Sequence, residues 1–327
     1  MIYIYIFVCF LLILILLHIN YKINGESYYF EKYAKLNLYQ PCKYNKKECV
    51  DILDKSRKNP SSYNKRDICI VTVSIGERDF SKINKERMLK YCSLYDYDMI
   101  YFTEIIDHNY PIMWQKCVAL NKVLNMKDRF GNYRYKVVAW FDDDIYLTNM
   151  KYRVEDFLEI NPKKHIFMPR DNIRNNYNHY INAGNYIMKN TQISRDFMVE
   201  TLRGMNNLFD GHFKNEMNHE QSINTYLYFS NPKYGKTIEV LPYGVLQSFH
   251  QINYHIYNIF KYLIKPMFSI NEPWKYNDYC IHFASLNQEN RYKLCSKISL
   301  SSKQLTDKKI AYPHTYYVTE GDWYTYV

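Results

Sequence analysis

The sequence predicts an α/β protein built on a parallel or mixed sheet, and three observations point there. Apolar, β-branched runs alternate with stretches of helical spacing between Ile68 and Leu147, the pattern of right-handed crossovers between strands of one sheet. Val137-Val138-Ala139-Trp140-Phe141 is a continuous apolar run, as expected of a strand buried on both faces. That run passes directly into Asp142-Asp143-Asp144 before apolar residues resume at Ile145-Tyr146-Leu147. Three adjacent carboxylates repel one another, so burying them requires a cation. A hard divalent metal, Mg²⁺ or Mn²⁺, bound through oxygen and itself holding a diphosphate, would supply it. The plain alternative is a solvated acidic turn that closes a strand.

Composition sets the outer bounds. A chain of 327 residues that is 47% hydrophobic and 23% charged can bury one sizeable core and is not disordered. The 36 tyrosines and 32 asparagines against nine glycines fit the codon bias of an AT-rich genome, so a single tyrosine carries little functional signal. The net charge of +10 is spread along the chain in short clusters such as Lys43-Tyr44-Asn45-Lys46-Lys47. That balance suits phosphorylated ligands or an anionic membrane, and no nucleic-acid-binding motif accompanies it. Of the eight cysteines, Cys42 with Cys49 and Cys280 with Cys295 are spaced to close small loops in an oxidising compartment. No CxxC appears, which argues against structural zinc.

The elements follow in order. Ile2 to Leu17 is uncharged and almost entirely large and apolar. As a helix rising ~1.5 Å per residue it would span roughly 25 Å, enough for a thin bilayer. Residues 1–20 therefore read as a retained signal anchor, since the only weak cleavage site lies near Gly25. Lys22, Lys32 and Lys35 follow the segment, so the positive-inside rule does not favour a lumenal body. The sole N-x-[S/T] match, Asn59-Pro60-Ser61, is disqualified by its proline. Residues 21–66 are polar, lack sustained periodicity and read as a stem.

From Ile68 the pattern changes. Ile68 to Ser74 is a β-branched strand, Asn84 to Tyr95 a helix, Asp98 to Thr103 a second strand, and Pro111 opens a further helix. His165 to Pro169 and Tyr180 to Met188 read as strands, the latter interrupted by Asn182-Ala183-Gly184. Helices fit Ser194 to Phe209 and His219 to Phe229, and strands fit Thr237 to Leu241 and Tyr279 to Phe283. The domain is placed at 67–290, with a tail at 291–327 that packs on it.

Strand alternation would aim Asp142 and Asp144 the same way, so that they share one cation. His282 would offer a third ligand if its strand borders theirs, and imidazole favours Mn²⁺ over Mg²⁺. Asn182-Ala183-Gly184 has small residues where a backbone can approach a ligand closely; its plain alternative is a β-bulge. Glu220-Gln221-Ser222 opens a helix, and Lys116 in Trp114-Gln115-Lys116 lies on another. Either can be read as an ordinary solvated helix position.

Together these residues resemble glycosyltransferase family 34. The resemblance covers roughly Ile68 to Ser285 and is carried by Val71-Thr72-Val73-Ser74, Tyr91-Cys92-Ser93-Leu94, Trp114-x-Lys116 and Trp140-Phe141-Asp142-Asp143-Asp144. Ile181-Asn182-Ala183-Gly184-Asn185-Tyr186-Ile187-Met188-Lys189-Asn190, Glu220-Gln221-Ser222 and His282-Phe283-Ala284-Ser285 complete it. The resemblance implies a GT-A fold, Mn²⁺ or Mg²⁺, a UDP- or GDP-sugar donor, a glycan acceptor and retention of anomeric configuration. It also implies metal ligation by Asp142, Asp144 and His282, and donor contacts from Thr72, Ser74, Lys116, Asp143, Asn182, Ala183 and Gly184. Glu220 and Gln221 would be catalytic. Type II membrane topology with a lumenal body in the Golgi or ER follows from that implied function, while a cytosol-facing or viral setting also fits the composition. Self-association as a homo-oligomer is open.

Three positions depart from the family pattern. Glu220 replaces the usual aspartate, Val73 replaces a glycine, and the glycine and basic residue expected after His282 are missing, with Arg291 or Lys293 able to serve a diphosphate instead. Two other functions are expected to compete. One is an inactive, membrane-tethered sugar-binding module. The other is a phosphatase of the haloacid-dehalogenase type, although Tyr146 stands where that motif expects threonine or valine.

Overall fold

The computed structural model describes residues 44–76, 78–171, 180–207, 219–250, 274–275, 278–284, 287–301 and 315–318, besides Cys9 and Leu12. Helix α1 (Lys46–Ser56) precedes strand β1 (Ile68–Val73), helix α2 (Asp79–Tyr95) and strand β2 (Asp98–Phe102). A 3-10 turn at Ile112–Trp114 runs into α3 (Gln115–Leu124), which leads to β3 (Val137–Phe141) and β4 (Ile145–Leu147). After a 3-10 segment at Glu155–Ile160 come β5 (Ile166–Pro169), β6 (Asn185–Lys189), α4 (Gln192–Asn207), α5 (His219–Ser230) and α6 (Pro232–Thr237). The remaining elements are β7 (Ile238–Leu241), β8 (Ser248–Phe249), β9 (Cys280–His282), α7 (Gln288–Ser301) and β10 (Thr315–Val318).

Seven strands form one mixed sheet in the order β10-β2-β1-β3-β6-β5-β7. Strand β1 is parallel to both β2 and β3, as the crossover pattern requires. Strand β6 then runs antiparallel to β3 and β5. The beginning of β6 and the ends of β1, β3 and β5 therefore meet at one edge. Both sheet faces are covered, which explains the uniformly apolar strands. Cys69, Val71, Val138, Trp140 and Tyr186 share a core with Cys117 and Leu120 of α3 and with Phe197 of α4. Ile70, Ala139, Phe141 and Ile187 share the opposite core with Cys49 of α1 and Met88 of α2.

The acidic stretch departs from expectation. It is not one strand: β3 ends at Phe141, and the Ile145 N–H donates to the Asp142 carbonyl at 3.0 Å to close a turn. Strand β4 leaves the main sheet and pairs antiparallel with β9 in a small second sheet, β4-β9-β8. A turn separates three charges that a continuous strand would hold within one sheet. The register sets Ile145 opposite His282, so the histidine reaches the acidic turn through β4 rather than through β3.

Helix α1 falls in the stretch where no periodicity is evident, because only Cys49, Leu53 and Ser56 are buried on so short an element. Its start is fixed by a capping box, in which Asn45 accepts from the Glu48 N–H at 3.0 Å and donates its own N–H to the Glu48 carboxylate at 2.8 Å. Its end is fixed by Ser56, whose hydroxyl donates to Asp156 at 2.8 Å. Helix α2 begins at Asp79, earlier than expected, which adds Phe80, Ser81 and Ile83 to the helix.

Cys49, Cys280 and Cys295 are free thiols, so neither of the two anticipated disulfides forms. Cys280 and Cys295 lie in different cores because successive residues of β9 face opposite ways. The apolar leader lies outside the described residues except for Cys9 and Leu12. Among the described residues no helix is long and apolar enough to cross a membrane.

Candidate active site

The three aspartates of the turn take three different sets of partners. Asp142, on the α3 side of the sheet, accepts the Trp140 indole N–H at 2.7 Å and lies 3.0 Å from the Lys116 ammonium through each carboxylate oxygen. Trp140 and Asp142 are two residues apart, and alternation along β3 sends both to that face. Asp143 turns to the α2 side, where it accepts the Ser74 and Ser81 hydroxyls at 3.0 and 3.2 Å, with the Arg78 guanidinium 3.9 Å away. Asn84 fixes the turn itself by donating to the Asp143 carbonyl at 2.8 Å. Asp144 faces β9 and α7, 3.2 Å from His282 Nε2 and 3.1 Å from Arg291 Nη2.

Burial and crowding shape the charges. Burial pushes the Asp142 carboxyl up to about 6, with Asp144 and Glu220 adding to the rise and Lys116 opposing it. Burial acts the same way on Asp144, but His282 and Arg291 overcome it and hold that carboxyl down to about 2. Burial disfavours the His282 imidazolium, yet Asp144 beside it raises the ring's pKa overall. Lys116 is raised in turn, because Asp142 and Glu220 outweigh the cost of burying it.

Lys116 also joins two regions that sequence keeps apart. Its ammonium lies 2.9 Å from Glu220 and donates to the Ala183 carbonyl at 3.2 Å. Gln221, next to Glu220 at the start of α5, accepts the Ala183 N–H at 3.1 Å and donates to Asp171 at 2.9 Å. The Asn182 side chain accepts the Gly184 N–H at 2.8 Å. A Cβ at Gly184 would come within 2.8 Å of His282 Cε1 and 3.0 Å of Asn182 Oδ1, so the glycine is required for the segment to pass beneath the imidazole. The imidazole stacks on Phe249 at a centroid separation of 5.0 Å.

All twelve residues singled out from sequence can thus be located. Asp142, Asp144 and His282 converge, and one ligand atom from each lies within 4.8 Å of the others. Lys116, Asn182, Ala183, Gly184, Glu220 and Gln221 enclose the same turn from the α3–α5 side, and Ser74 reaches it through Asp143. Thr72 is fully buried in β1, and among the described residues its hydroxyl has no hydrogen-bond partner. Of the two basic residues considered for a diphosphate, Arg291 reaches the turn, whereas Lys293 is exposed and pairs with Glu289.

Four participants escape the sequence reading: Asp171, Trp140, Ser81 and Arg78. Asp171 was within reach, since it follows the end of β5 at the ligand-binding edge of the sheet. Trp140 was marked only as the residue leading the acidic motif, although its spacing to Asp142 puts both on one face.

The donor set suits a divalent cation. Two carboxylates and an imidazole match Mn²⁺ better than a softer metal, and His282 Nδ1 is buried with no partner among the described residues. Among the described residues, the carboxyl groups of Asp142, Asp143, Asp144 and Glu220 meet three permanent cations, Lys116, Arg78 and Arg291, together with His282 beside Asp144.

No protein-family model matches the chain, and no curated protein matches it. Among solved structures, a glycosyltransferase involved in the glycosylation of the major capsid of PBCV-1 aligns over 70% of this chain and 98% of its own, at 13% identity and a TM-score of 0.51. The glycosyltransferase GlyE of Streptococcus pneumoniae TIGR4 aligns over 73% of this chain and 63% of its own, at 10% identity and a TM-score of 0.43. Mouse xyloside xylosyltransferase 1 in its apo form aligns over 67% and 98%, at 9% identity and a TM-score of 0.39. The first of these likenesses establishes the fold: a mixed α/β sheet shared with a glycosyltransferase over nearly the whole of that enzyme's length.

Proposed function

We propose that the chain is a metal-dependent glycosyltransferase that moves a hexose or pentose from a UDP- or GDP-sugar to a glycan or glycoprotein acceptor, with retention of configuration. The observation that carries this reading is the convergence of Asp142, Asp144 and His282 on one point at the ligand-binding edge of the sheet. Membership of family 34 rests on the order of its motifs along the chain.

Asp142, Asp144 and His282 would hold Mn²⁺ or Mg²⁺, which would neutralise the donor diphosphate and stabilise it as a leaving group. Arg291 lies beside Asp144 and supplies the basic group missing directly after His282. Ser74, just past the end of β1, would face the nucleotide, whereas Thr72 is fully buried in that strand, and Asp143 is aimed from the turn by Ser74 and Ser81. On the sugar side, Lys116 fixes Glu220 in an ion pair at 2.9 Å. Gln221 is held in one orientation by Ala183 and Asp171, which presets its amide towards a developing positive charge at the sugar ring. The apolar leader would anchor this body as a type II protein of the Golgi or ER, and an acceptor at a membrane would suit that tether.

The test is hydrolysis of a panel of UDP- and GDP-sugars by the purified protein, with and without Mn²⁺. At least one donor should be turned over only with metal, and Asp142→Ala should abolish that turnover. Full activity in Asp142→Ala would sink the metal assignment. Saturable donor binding without turnover of any donor would favour an inactive sugar-binding module.

A further inference from the structure

Away from the acidic turn, an open groove of about 830 Å³ runs along α3. One wall is the loop of residues 106–109, and the other is Val118, Asn121 and Lys122 of α3 with Asn125 at its C-cap. At 100° per residue these four positions fall roughly 140–240° round the helix from Lys116. The groove is thus on the face of α3 turned away from the acidic turn, and no residue assigned above lines it.

Its two walls are locked together. Gln115 is fully buried, and its side-chain oxygen accepts the Ile106 and Asp107 N–H groups at 2.8 and 3.1 Å. Its side-chain nitrogen donates to the Asp107 and Tyr110 carbonyls, both at 2.8 Å. All four hydrogen-bonding positions of this amide are therefore used to fix the loop against the helix. A groove with walls fixed in advance binds without the entropic cost of ordering a loop.

The lining identifies a class of ligand. Asp107 lies within electrostatic reach of Lys122 and offsets it, so the groove does not select an anion. The His108 ring and the Asn109 carboxamide are exposed donors and acceptors, the Asn121 and Asn125 carboxamides are joined by an Asn125 Nδ2 to Asn121 Oδ1 hydrogen bond at 3.2 Å, and the apolar Ile106 and Val118 lie beside them. A neutral, hydroxyl-rich molecule with an apolar C–H face fits that mixture. Ile112 and Met113, each about half exposed at 53% and 51%, lie in the turn that joins the loop to the Lys116 helix.

We infer that this groove is a second saccharide-binding subsite, which takes a part of the glycan acceptor remote from the reacting sugar. The inference rests on the glycosyltransferase reading for the identity of the ligand as acceptor, but not for the binding itself.

The test uses the full chain in detergent and three probes: manno-, galacto- and xylo-oligosaccharides, from disaccharides upward, titrated by calorimetry. At least one series should bind wild type and Asp142→Ala equally, because the groove is independent of the acidic turn. The exposed pair His108→Ala/Asn109→Ala should weaken that binding roughly tenfold or more, the loss of one or two hydrogen bonds. Metal-dependent donor hydrolysis should be unchanged in the same variant, while KM rises for long acceptors and not for monosaccharides. No binding of any series by wild type, or equal binding by the double variant, overturns the inference. Groove-dependent binding in a protein that hydrolyses no donor would leave the subsite standing and remove the catalytic reading instead.

Discussion

Replacing Lys116 by methionine keeps a linear side chain and deletes one ammonium. That ammonium sits 3.0 Å from both oxygens of Asp142, 2.9 Å from Glu220 and 3.2 Å from the Ala183 carbonyl, and the side chain is only 13% exposed. Removing one partner of a buried ion pair costs about 3–5 kcal/mol, because the remaining charges stay buried without compensation. For a domain of this size each kcal/mol lowers Tm by ~2–4 °C, so the metal-free variant should melt roughly 6–20 °C below wild type at pH 7. Mn²⁺ at a hundredfold excess over its Kd should return about 2.7 kcal/mol. The recovery should be larger in the variant, where Asp142 has no competing ammonium. Melting followed by circular dichroism, in EDTA and in Mn²⁺, reads both effects. A variant that melts within about 2 °C of wild type in EDTA, or one that Mn²⁺ stabilises less than wild type, would refute the reasoning.

Three further outcomes are expected. Asp142 titrates near 6 when folded against an ordinary 3.8, so its stabilising contribution is full below about pH 4 and is lost as pH rises through 6. Asp144, held near 2, behaves oppositely: its contribution is present above about pH 4 and is lost as pH falls towards 2. Melting without metal should therefore show these two groups favouring a maximum near pH 4, and calorimetry should show Mn²⁺ affinity falling below about pH 6. Gly184→Ala should displace His282 and weaken Mn²⁺ roughly tenfold or more by calorimetry, because the new Cβ would lie 2.8 Å from the imidazole. Arg291→Gln should raise the KM for donor, whereas Lys293→Gln should leave it unchanged, since Lys293 is exposed and paired with Glu289.

How much of this was legible in the sequence depended on the range of the interactions. The strands β1, β2 and β3 were readable because each is buried on both faces and so is apolar throughout. Asp142, Asp144 and His282 were readable as a group, but the reason offered for their meeting was incorrect. Strand alternation does not align the two aspartates; a turn does, and β4 carries His282 to it. That break follows from long-range pairing between β4 and β9, more than a hundred residues apart, which no local pattern encodes. Helix α1 was missed for the opposite reason: its capping box is local and visible, but so short a buried face gives too little period to register. Asp171 was overlooked because an acid after a short strand looks like any solvated turn until Gln221 is seen to donate to it.

The apparent difficulty of three consecutive carboxylates dissolves once their directions are separated. Asp142 is met by an ammonium from α3 and an indole N–H from its own strand, Asp143 by two hydroxyls from the α2 side, and Asp144 by an imidazole and a guanidinium from β9 and α7. Such partners satisfy hydrogen bonds more fully than they satisfy charge. Lys116 must serve Asp142 and Glu220 at once, which leaves Asp142 as the group whose ionisation costs most, as its pKa near 6 expresses. A carboxylate has about four acceptor positions, and the Trp140 indole and the Lys116 ammonium each take one on Asp142, with the ammonium also close to the second oxygen. What is left over is what Asp142 can offer to a cation shared with Asp144 and His282. The same contacts that make the turn foldable without metal therefore also limit how a metal can be held, and Lys116 is the residue on which the two demands meet.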